Sequence, residues 1–352
     1  MSILLRALCS VLTVLTCSIA AASENRSDYL LFLTAAASDR SASSVMPQHR
    51  EKETALLFVY TAEVENYRFL TELHVVDEGE EDIERLQVGW RFVPRAMLWI
   101  GRFHNPEVYG STQYHHAQYL QTGVSHPAIE EFDEHGGILP SHLIGAQLEG
   151  ALAGGEPDAL RYELAFGKTG TLDEKGIESP GIIGPARRGK ATASLRLVYY
   201  PTEGETDAAG IFLGRNRLPA RDLSIQEVRQ TVSGFFGNWE REKIRLFGAA
   251  YFLENELEER SGISTGRFAT GYLQAEYRTD APWTLYARSE HSRGTQGDPY
   301  LMLFPDFAER QTTVGARWDV ASKQALKFEY GRPRIMGDDS RRLAAEWSMV
   351  LP

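Results

Sequence analysis

Residues 313–330, TVGARWDVASKQALKFEY, hold the pattern that decides the fold. Every second residue from Val314 to Trp318 is apolar, and the same alternation returns from Leu326 to Tyr330 after a short polar turn. Because successive side chains of a β-strand point to opposite faces, each half has one apolar face and one polar or small face. The stretch therefore predicts two amphipathic strands joined as a hairpin.

The same alternation recurs along the chain in roughly fifteen segments of about 8 to 12 residues, and Tyr29–Ala36 is one more candidate. Short turns alternate with longer polar loops, which we expect at 169–190, 255–266 and 292–310, and residues 38–54 are expected to form a loop or arm. This layout predicts an all-β protein, a transmembrane antiparallel up-and-down β-barrel of about 16 strands, with about 14 as the alternative count.

Aromatic residues support a membrane barrel, because they mostly fall near segment ends, where amphipathic rings favour the membrane–water boundary. The soluble alternative is a large β-sandwich or a propeller, and the chain lacks the blade-length repeat that a propeller requires. The aromatic residues in question are Trp90, Trp99, Tyr199, Tyr200, Trp239, Tyr251, Tyr277, Trp283, Trp318, Tyr330 and Trp347.

The N-terminus predicts export. Arg6 precedes an apolar run that is too short to span a bilayer, and three alanines then offer a cleavage site. We therefore predict a signal peptide over 1–22 and a single barrel domain over 23–352, with an uncleaved anchor as the alternative. Both cysteines, Cys9 and Cys17, lie in the signal, so the mature chain has no disulfide and no thiolate site. The net charge of −11 disfavours nucleic acid as a partner and a pore built mainly for anions.

The polar strand faces carry charges of both signs, each of which would cost about 2–4 kcal/mol near the bilayer midplane if it faced lipid. We therefore expect these side chains to line the lumen. A water-filled lumen of mixed charge is a diffusion channel, and the alternative is a lumen closed by ion pairs, which would make the barrel a non-conducting scaffold. The expected lumen-wall residues are Arg161, Glu163, Arg196, Arg288, Arg317, Asp319, Lys327 and Glu329.

The stretch from Gly101 to His142 is the longest one without strand alternation, and it holds six of the nine histidines. Together with Trp99-Ile100-Gly101-Arg102-Phe103, the loop 114–120 and the regular C-terminal hairpins, it resembles bacterial outer-membrane porin-like proteins, loosely the superfamily of the phosphate-selective porins. The resemblance implies an outer-membrane location, contact with outer-membrane lipid, passage of small hydrophilic solutes and, as an open possibility, a homo-oligomer. Two features depart from it: basic residues do not dominate, so phosphate selectivity is not implied, and the chain ends in Pro352 instead of an aromatic residue.

In porin-like barrels a long loop commonly folds inward and narrows the pore. We expect residues 104–142 to do so and to form a constriction with a cation bias. The residues expected at this constriction are Glu130, Glu131, Asp133, Glu134 and Arg102. A solvated loop tip outside the membrane is the alternative.

Two other chemistries are open for this loop. His115, His116 and His126 could bind a metal ion, which would make the protein a metal-binding or metal-passing barrel, although their spacing matches no compact zinc motif. Ser125-His126 and Ser141-His142 offer serine and histidine side by side, but no GxSxG elbow accompanies them, and sequence neighbours rarely form a nucleophile–base pair. We therefore predict a passive channel, with neither a cofactor nor enzymatic activity.

Overall fold

The computed structural model describes residues 26–77, 81–110, 114, 116–133, 136–152, 160–182, 189–201, 206–221 and 223–352. The predicted signal peptide, His115 and Glu134 lie outside the described residues. Sixteen long strands make up the wall. They are β1 (Arg26–Arg40), β2 (His49–Val64), β3 (Tyr67–Val76), β4 (Glu81–Val93), β5 (Ala96–His104), β6 (His142–Leu152), β7 (Leu160–Lys168), β10 (Ala191–Tyr199), β11 (Ala208–Pro219), β12 (Ile225–Arg241), β13 (Ile244–Glu259), β14 (Gly262–Arg278), β15 (Trp283–Arg293), β16 (Ala308–Ala321), β17 (Gln324–Ile335) and β19 (Arg342–Leu351).

Each long strand pairs antiparallel with the next, and β19 pairs with β1 with Trp347 opposite Ala35, so the sheet closes. Closure removes the exposed strand edges that would otherwise leave backbone groups unpaired. The predicted antiparallel barrel of 16 strands is therefore confirmed. Three short strands lie outside the wall sequence: β8 (Thr171–Asp173) and β9 (Gly176–Glu178) form a hairpin, and β18 (Asp338–Asp339) pairs with the end of β17. Among the described residues, no helix has the length and apolar content needed to cross a bilayer.

The polarity of the barrel is inverted relative to a soluble protein. On the outer surface, Phe166 is 65 % exposed and Leu273 is 60 % exposed. On the inner surface, Lys327 and Glu329 are only 0 % and 4 % exposed. The apolar alternation of the sequence therefore faces outward, as a lipid-embedded barrel requires.

Exposed aromatic rings mark the end of the barrel that carries the short turns. Trp283 and Trp318 are cross-strand partners and stack with ring centroids 5.3 Å apart. Tyr277 and Trp239 are also exposed near this end. Rings of this kind are stable at the level of lipid headgroups, so this end corresponds to one membrane interface.

Two expected loops are instead mostly strand. The prediction of a loop over 38–54 is wrong for most of its length, because β1 runs to Arg40 and β2 begins at His49. The prediction over 255–266 is also wrong, because β13 and β14 are separated only by a two-residue turn. These extensions carry polar residues on both faces, so the alternation disappears although the backbone ladder continues. The loop expected over 169–190 contains the β8–β9 hairpin.

Gly101 of the Trp99–Phe103 motif belongs to a row of glycines that crosses β5, β6 and β7. Gly101 is opposite Gly145, and Gly145 is opposite Gly167. Gly101 has φ = 143°, and a Cβ atom there would lie 2.0 Å from the carbonyl oxygen of Leu86. Only glycine fits both this backbone conformation and the close approach of the neighbouring strand.

Candidate functional site in the barrel lumen

The segment 105–141 between β5 and β6 is called here the inward loop, and its described residues lie inside the barrel. Its backbone reaches the opposite wall, where the Tyr109 N–H donates to the Tyr251 hydroxyl at 3.2 Å. The ring of Tyr109 stacks on Phe236 with centroids 4.0 Å apart. Val108, Ile129, Ile138 and Leu139 of the loop are almost fully buried in a cluster with inward side chains of β11 to β14. An apolar core inside the lumen therefore holds the loop against one side of the barrel.

Four of the predicted lumen-wall residues bind this loop, mostly through its main chain. Arg288 donates to the carbonyl oxygens of Ser125 at 2.7 Å and His126 at 3.0 Å. Glu329 accepts the Ser125 N–H at 3.0 Å, and Lys327 donates to the Gly123 carbonyl at 3.3 Å. Arg317 donates in the same way to the carbonyl oxygen of Gln121. Charged groups on β15, β16 and β17 thus satisfy backbone groups that the loop would otherwise bury unpaired.

The other four predicted wall residues also face inward but pair with the wall itself. Arg196 contacts Glu163 at 2.5 Å, and Asp319 accepts from Arg317 at 2.9 Å. The Arg161 guanidinium lies 4.8 Å from the ring centroid of Tyr200. Arg196 and Arg317 are therefore paired with wall carboxylates, whereas Arg161 contacts an aromatic ring.

The acids expected at a constriction are dispersed. Glu130 is 1 % exposed and accepts the hydroxyls of Tyr251 at 2.5 Å and Tyr272 at 2.9 Å. Burial raises the pKa of Glu130 to about 7, despite the opposing effect of these hydrogen bonds. Asp133 is also buried and contacts His142 Nδ1 at 3.2 Å. Glu131 is the described acid of this group that borders the open part of the lumen.

Two charged groups of the region lie away from that opening. Arg102 is 1 % exposed and forms a bidentate pair with Asp82, with distances of 2.8 and 2.6 Å. Glu107 is buried at the start of the loop, where Asn216 donates to it, and burial raises its pKa to about 7. Sequence reasoning did not single out Glu107, because a lone acid before a long loop carries no local signal.

A cavity of about 200 Å³ lies on the side of the lumen opposite the apolar core. Its walls come from the inward faces of β1, β2, β3 and β19 and from the inward loop. Its acidic and basic lining residues are Glu51, Glu53, Glu131, Glu346 and Arg342. Among the described lining residues, four carboxylates therefore face one guanidinium group, with His74, His116 and His126 on the same cavity wall.

Histidines gather beside the cavity, around Glu84 on β4. His116 Nε2 of the loop lies 3.4 Å from Glu84 Oε1, and His142 Nε2 lies 3.0 Å from Glu84 Oε2. His74 on β3 also approaches Glu84, at 3.8 Å. His126, expected to join His116 in a metal site, is instead near the side chains of Gln118 and Gln121. The sequence offered one usable signal for His74 and Glu84: both occupy inward positions of alternating strands.

The closed sheet, the outward apolar face and the loop folded into the lumen decide the architecture. The fold is that of a sixteen-stranded porin. The anion-selective porin from Comamonas acidovorans superposes with a TM-score of 0.63 at 10 % identity, covering 93 % of this chain and 100 % of that one. OmpF of Salmonella typhi, in complex with daunomycin, gives 0.61 at 10 % identity over 92 % and 98 %. The channel DcaP of Acinetobacter baumannii gives 0.59 at 11 % identity over 94 % and 99 %.

These likenesses confirm the porin-like barrel at the level of the fold. Neither a protein-family model nor a curated protein sequence matches this chain.

Proposed function

We propose that this porin-type barrel is a bacterial outer-membrane channel for the passive diffusion of small hydrophilic solutes, with a bias toward cations. The 200 Å³ cavity between the inward loop and the β1–β3 and β19 wall carries this proposal. It is the polar side of a lumen whose other side is filled by the apolar core. Solutes would pass along this side of the lumen, which Glu131 of the inward loop borders.

The cation bias rests on the charges that line the cavity. Glu346 lies 2.7 Å from the buried Lys327 and is largely neutralised by it. Glu51 and Glu53 line the cavity against Arg342, and acidic side chains favour cations in a narrow, low-dielectric passage. Glu130 contributes little, because its raised pKa leaves it partly protonated at neutral pH. One superposed barrel is an anion-selective porin, so the shared fold supports a channel and leaves its charge preference to these side chains.

The serine and histidine contacts favour a channel over an enzyme. Ser125 Oγ donates to Glu329 and accepts from Arg288, so a carboxylate and a guanidinium hold it in place. His142 Nδ1 contacts both Asp133 and Ser179 Oγ, at 3.2 and 3.1 Å. In a catalytic triad, one nitrogen of the histidine contacts the acid that orients the ring, and the other nitrogen accepts the serine proton. In His142 the acid and the serine both contact Nδ1, so these two roles are not separated.

Planar-bilayer recording of the refolded mature chain tests the proposal. We expect single-channel conductance and, in a KCl gradient, a reversal potential that indicates cation preference. Combined Glu51→Gln, Glu53→Gln and Glu131→Gln substitution should reduce the cation-to-anion permeability ratio several-fold, because one charge about 4 Å away contributes about 1 kcal/mol even in water. Asp280→Asn, an exposed acid in a short turn, is the matched control and should change nothing.

Two results would contradict the proposal. A barrel that folds but never conducts would favour a scaffold role. Conductance with an anion preference would refute the role of the acidic lining. Assembly is a separate proposal: one superposed structure is a trimer form of Vibrio cholerae OmpT, and chemical cross-linking of this chain in lipid would test for a homo-oligomer.

A further inference from the structure

We propose that His74, Glu84 and His116 form a binding site for a divalent transition-metal ion at the junction of the barrel wall and the inward loop. The three donor atoms lie within 4.8 Å of one another, and all three residues are buried. His74 and Glu84 belong to adjacent wall strands, β3 and β4, whereas His116 belongs to the loop. A bound ion would therefore link the loop to the wall.

The distances are close to those of a tetrahedral site. His116 Nε2 and His74 Nδ1 lie 3.4 and 3.8 Å from Glu84 Oε1. Donors bonded to one zinc ion at about 2.0–2.1 Å are about 3.3 Å apart, so both histidine–carboxylate distances are close to those of a bound set. The two imidazole rings stack with centroids 3.8 Å apart. Coordination requires one ring to turn about its Cβ–Cγ bond, and the adjoining cavity, which both histidines line, provides the space.

The charge of the surrounding cluster also favours a dication. Among the described residues, four carboxylates and two guanidinium groups stand around the histidines, and His142 lies between two of the carboxylates, Glu84 and Asp133. With His142 protonated and the other imidazoles neutral, this cluster has a net charge of −1. Asp82 is 45 % exposed, whereas Glu72, Glu84 and Asp133 are buried, and buried negative charge needs compensation. A divalent ion supplies it while the two ligand imidazoles stay neutral, as ligation requires. The groups counted are Glu72, Asp82, Glu84 and Asp133 against Arg85, Arg102 and His142.

The groups that contact Glu84 and the route from the lumen to the two histidines also favour a metal site. Glu84 Oε2 is held by His142 at 3.0 Å, and His142 is held in turn by Asp133 at 3.2 Å. Such a relay orients a carboxylate ligand and usually affects metal affinity about 10- to 100-fold. The 200 Å³ cavity connects the two histidines to the lumen and leaves a fourth position for water. Two imidazoles and one carboxylate select zinc-like ions over magnesium or calcium, which prefer all-oxygen sites.

Equilibrium dialysis of the folded, chelator-treated full chain against Zn²⁺, with metal content measured by mass spectrometry, tests the proposal. We expect one zinc ion per chain and no competition from equimolar Mg²⁺. His74→Ala and His116→Ala should each weaken zinc binding at least tenfold. His291→Ala, an exposed histidine on the outer face of β15, is the control and should leave binding unchanged. Co²⁺ should give a visible absorption band of tetrahedral intensity that both His74→Ala and His116→Ala abolish.

Far-UV circular dichroism confirms that each variant is folded, and His74→Gln replaces His74→Ala if the latter does not fold. The proposal is overturned if the unaltered chain retains no zinc, if His291→Ala loses as much zinc as the site variants, or if Mg²⁺ displaces zinc at equal concentration. Bilayer conductance is independent of these readouts, so the channel and the metal site can fail separately.

Discussion

Removal of the Arg288 side chain should loosen the inward loop without opening the barrel. Arg288 makes three hydrogen bonds to the loop, to Ser125 O, Ser125 Oγ and His126 O. Its loss in Arg288→Ala also leaves Glu290 without its buried cation and leaves Glu329 with Arg342 at 3.6 Å. The interstrand hydrogen bonds of β15 use the backbone and stay in place. The damage should therefore be confined to the loop.

The size of the effect follows from these contacts. Hydrogen bonds to charged groups contribute about 1.5–3 kcal/mol each, and breaking a buried charge pair from one side costs about 3–5 kcal/mol. The two ranges describe the same contacts and therefore are not added. We expect the free energy of loop opening to fall by about 3 kcal/mol. A change of about 1.4 kcal/mol alters an equilibrium constant about tenfold. Amide exchange in the loop should therefore accelerate on the order of 100-fold.

Hydrogen exchange read by mass spectrometry on loop peptides is the appropriate assay. The informative amides are Val124 and Ser125, which donate to Glu329 at 3.2 and 3.0 Å, and Ala128, which donates to Glu290 at 2.7 Å. Arg288→Lys keeps the charge but loses the fork geometry and should give an intermediate rate. Arg310→Ala, exposed on the outer face of β16, is the control. Unchanged loop exchange in a folded Arg288→Ala barrel would refute the reasoning.

Three further predictions concern the wall and the pH response. Gly101→Ala should lower the yield of refolded barrel, measured by far-UV circular dichroism, because its Cβ would meet the Leu86 carbonyl at 2.0 Å; a normal yield would show that β4 and β5 can separate. Leu273→Arg on the lipid face should cost about 2–4 kcal/mol in denaturant titrations in lipid vesicles, and an unchanged midpoint would place Leu273 outside the membrane. Burial raises the pKa of Glu107 and Glu130 to about 7, so loop docking should weaken as the pH rises from about 4.5 through 7. Loop exchange corrected for its intrinsic pH dependence should follow this trend, and Glu130→Gln should reduce it; a loop that docks more tightly at pH 8 than at pH 5 would contradict the assignment.

The membrane-embedded half of the fold could be predicted from the sequence because lipid imposes a period of two on every strand. Even Tyr29–Ala36, the weakest candidate, lies within β1. Beyond the apolar band that constraint ends, which is why residues 49–54 and 255–259 gave no signal although they continue β2 and β13. Backbone pairing there depends on neighbouring strands, and a single sequence does not indicate them.

The interior was only partly predictable. Alternation indicates that Lys327 and Glu329 face the lumen, because it fixes the direction of each side chain. It does not indicate which element across the barrel each one meets. Glu130 was expected to be an exposed acid and is instead enclosed by two tyrosines from β13 and β14, more than a hundred residues away in the chain. His116 approaches His74 and Glu84 in the same way, because the inward loop folds back against β3 and β4.

Main-chain recognition of the inward loop has an evolutionary consequence. Arg288, Lys327 and Arg317 bind carbonyl oxygens, which every amino acid provides. Substitutions at the loop positions that border the cavity can therefore accumulate while the loop stays anchored. A lineage of such barrels could diversify its permeability through loop side chains alone, with the same three wall cations inherited unchanged.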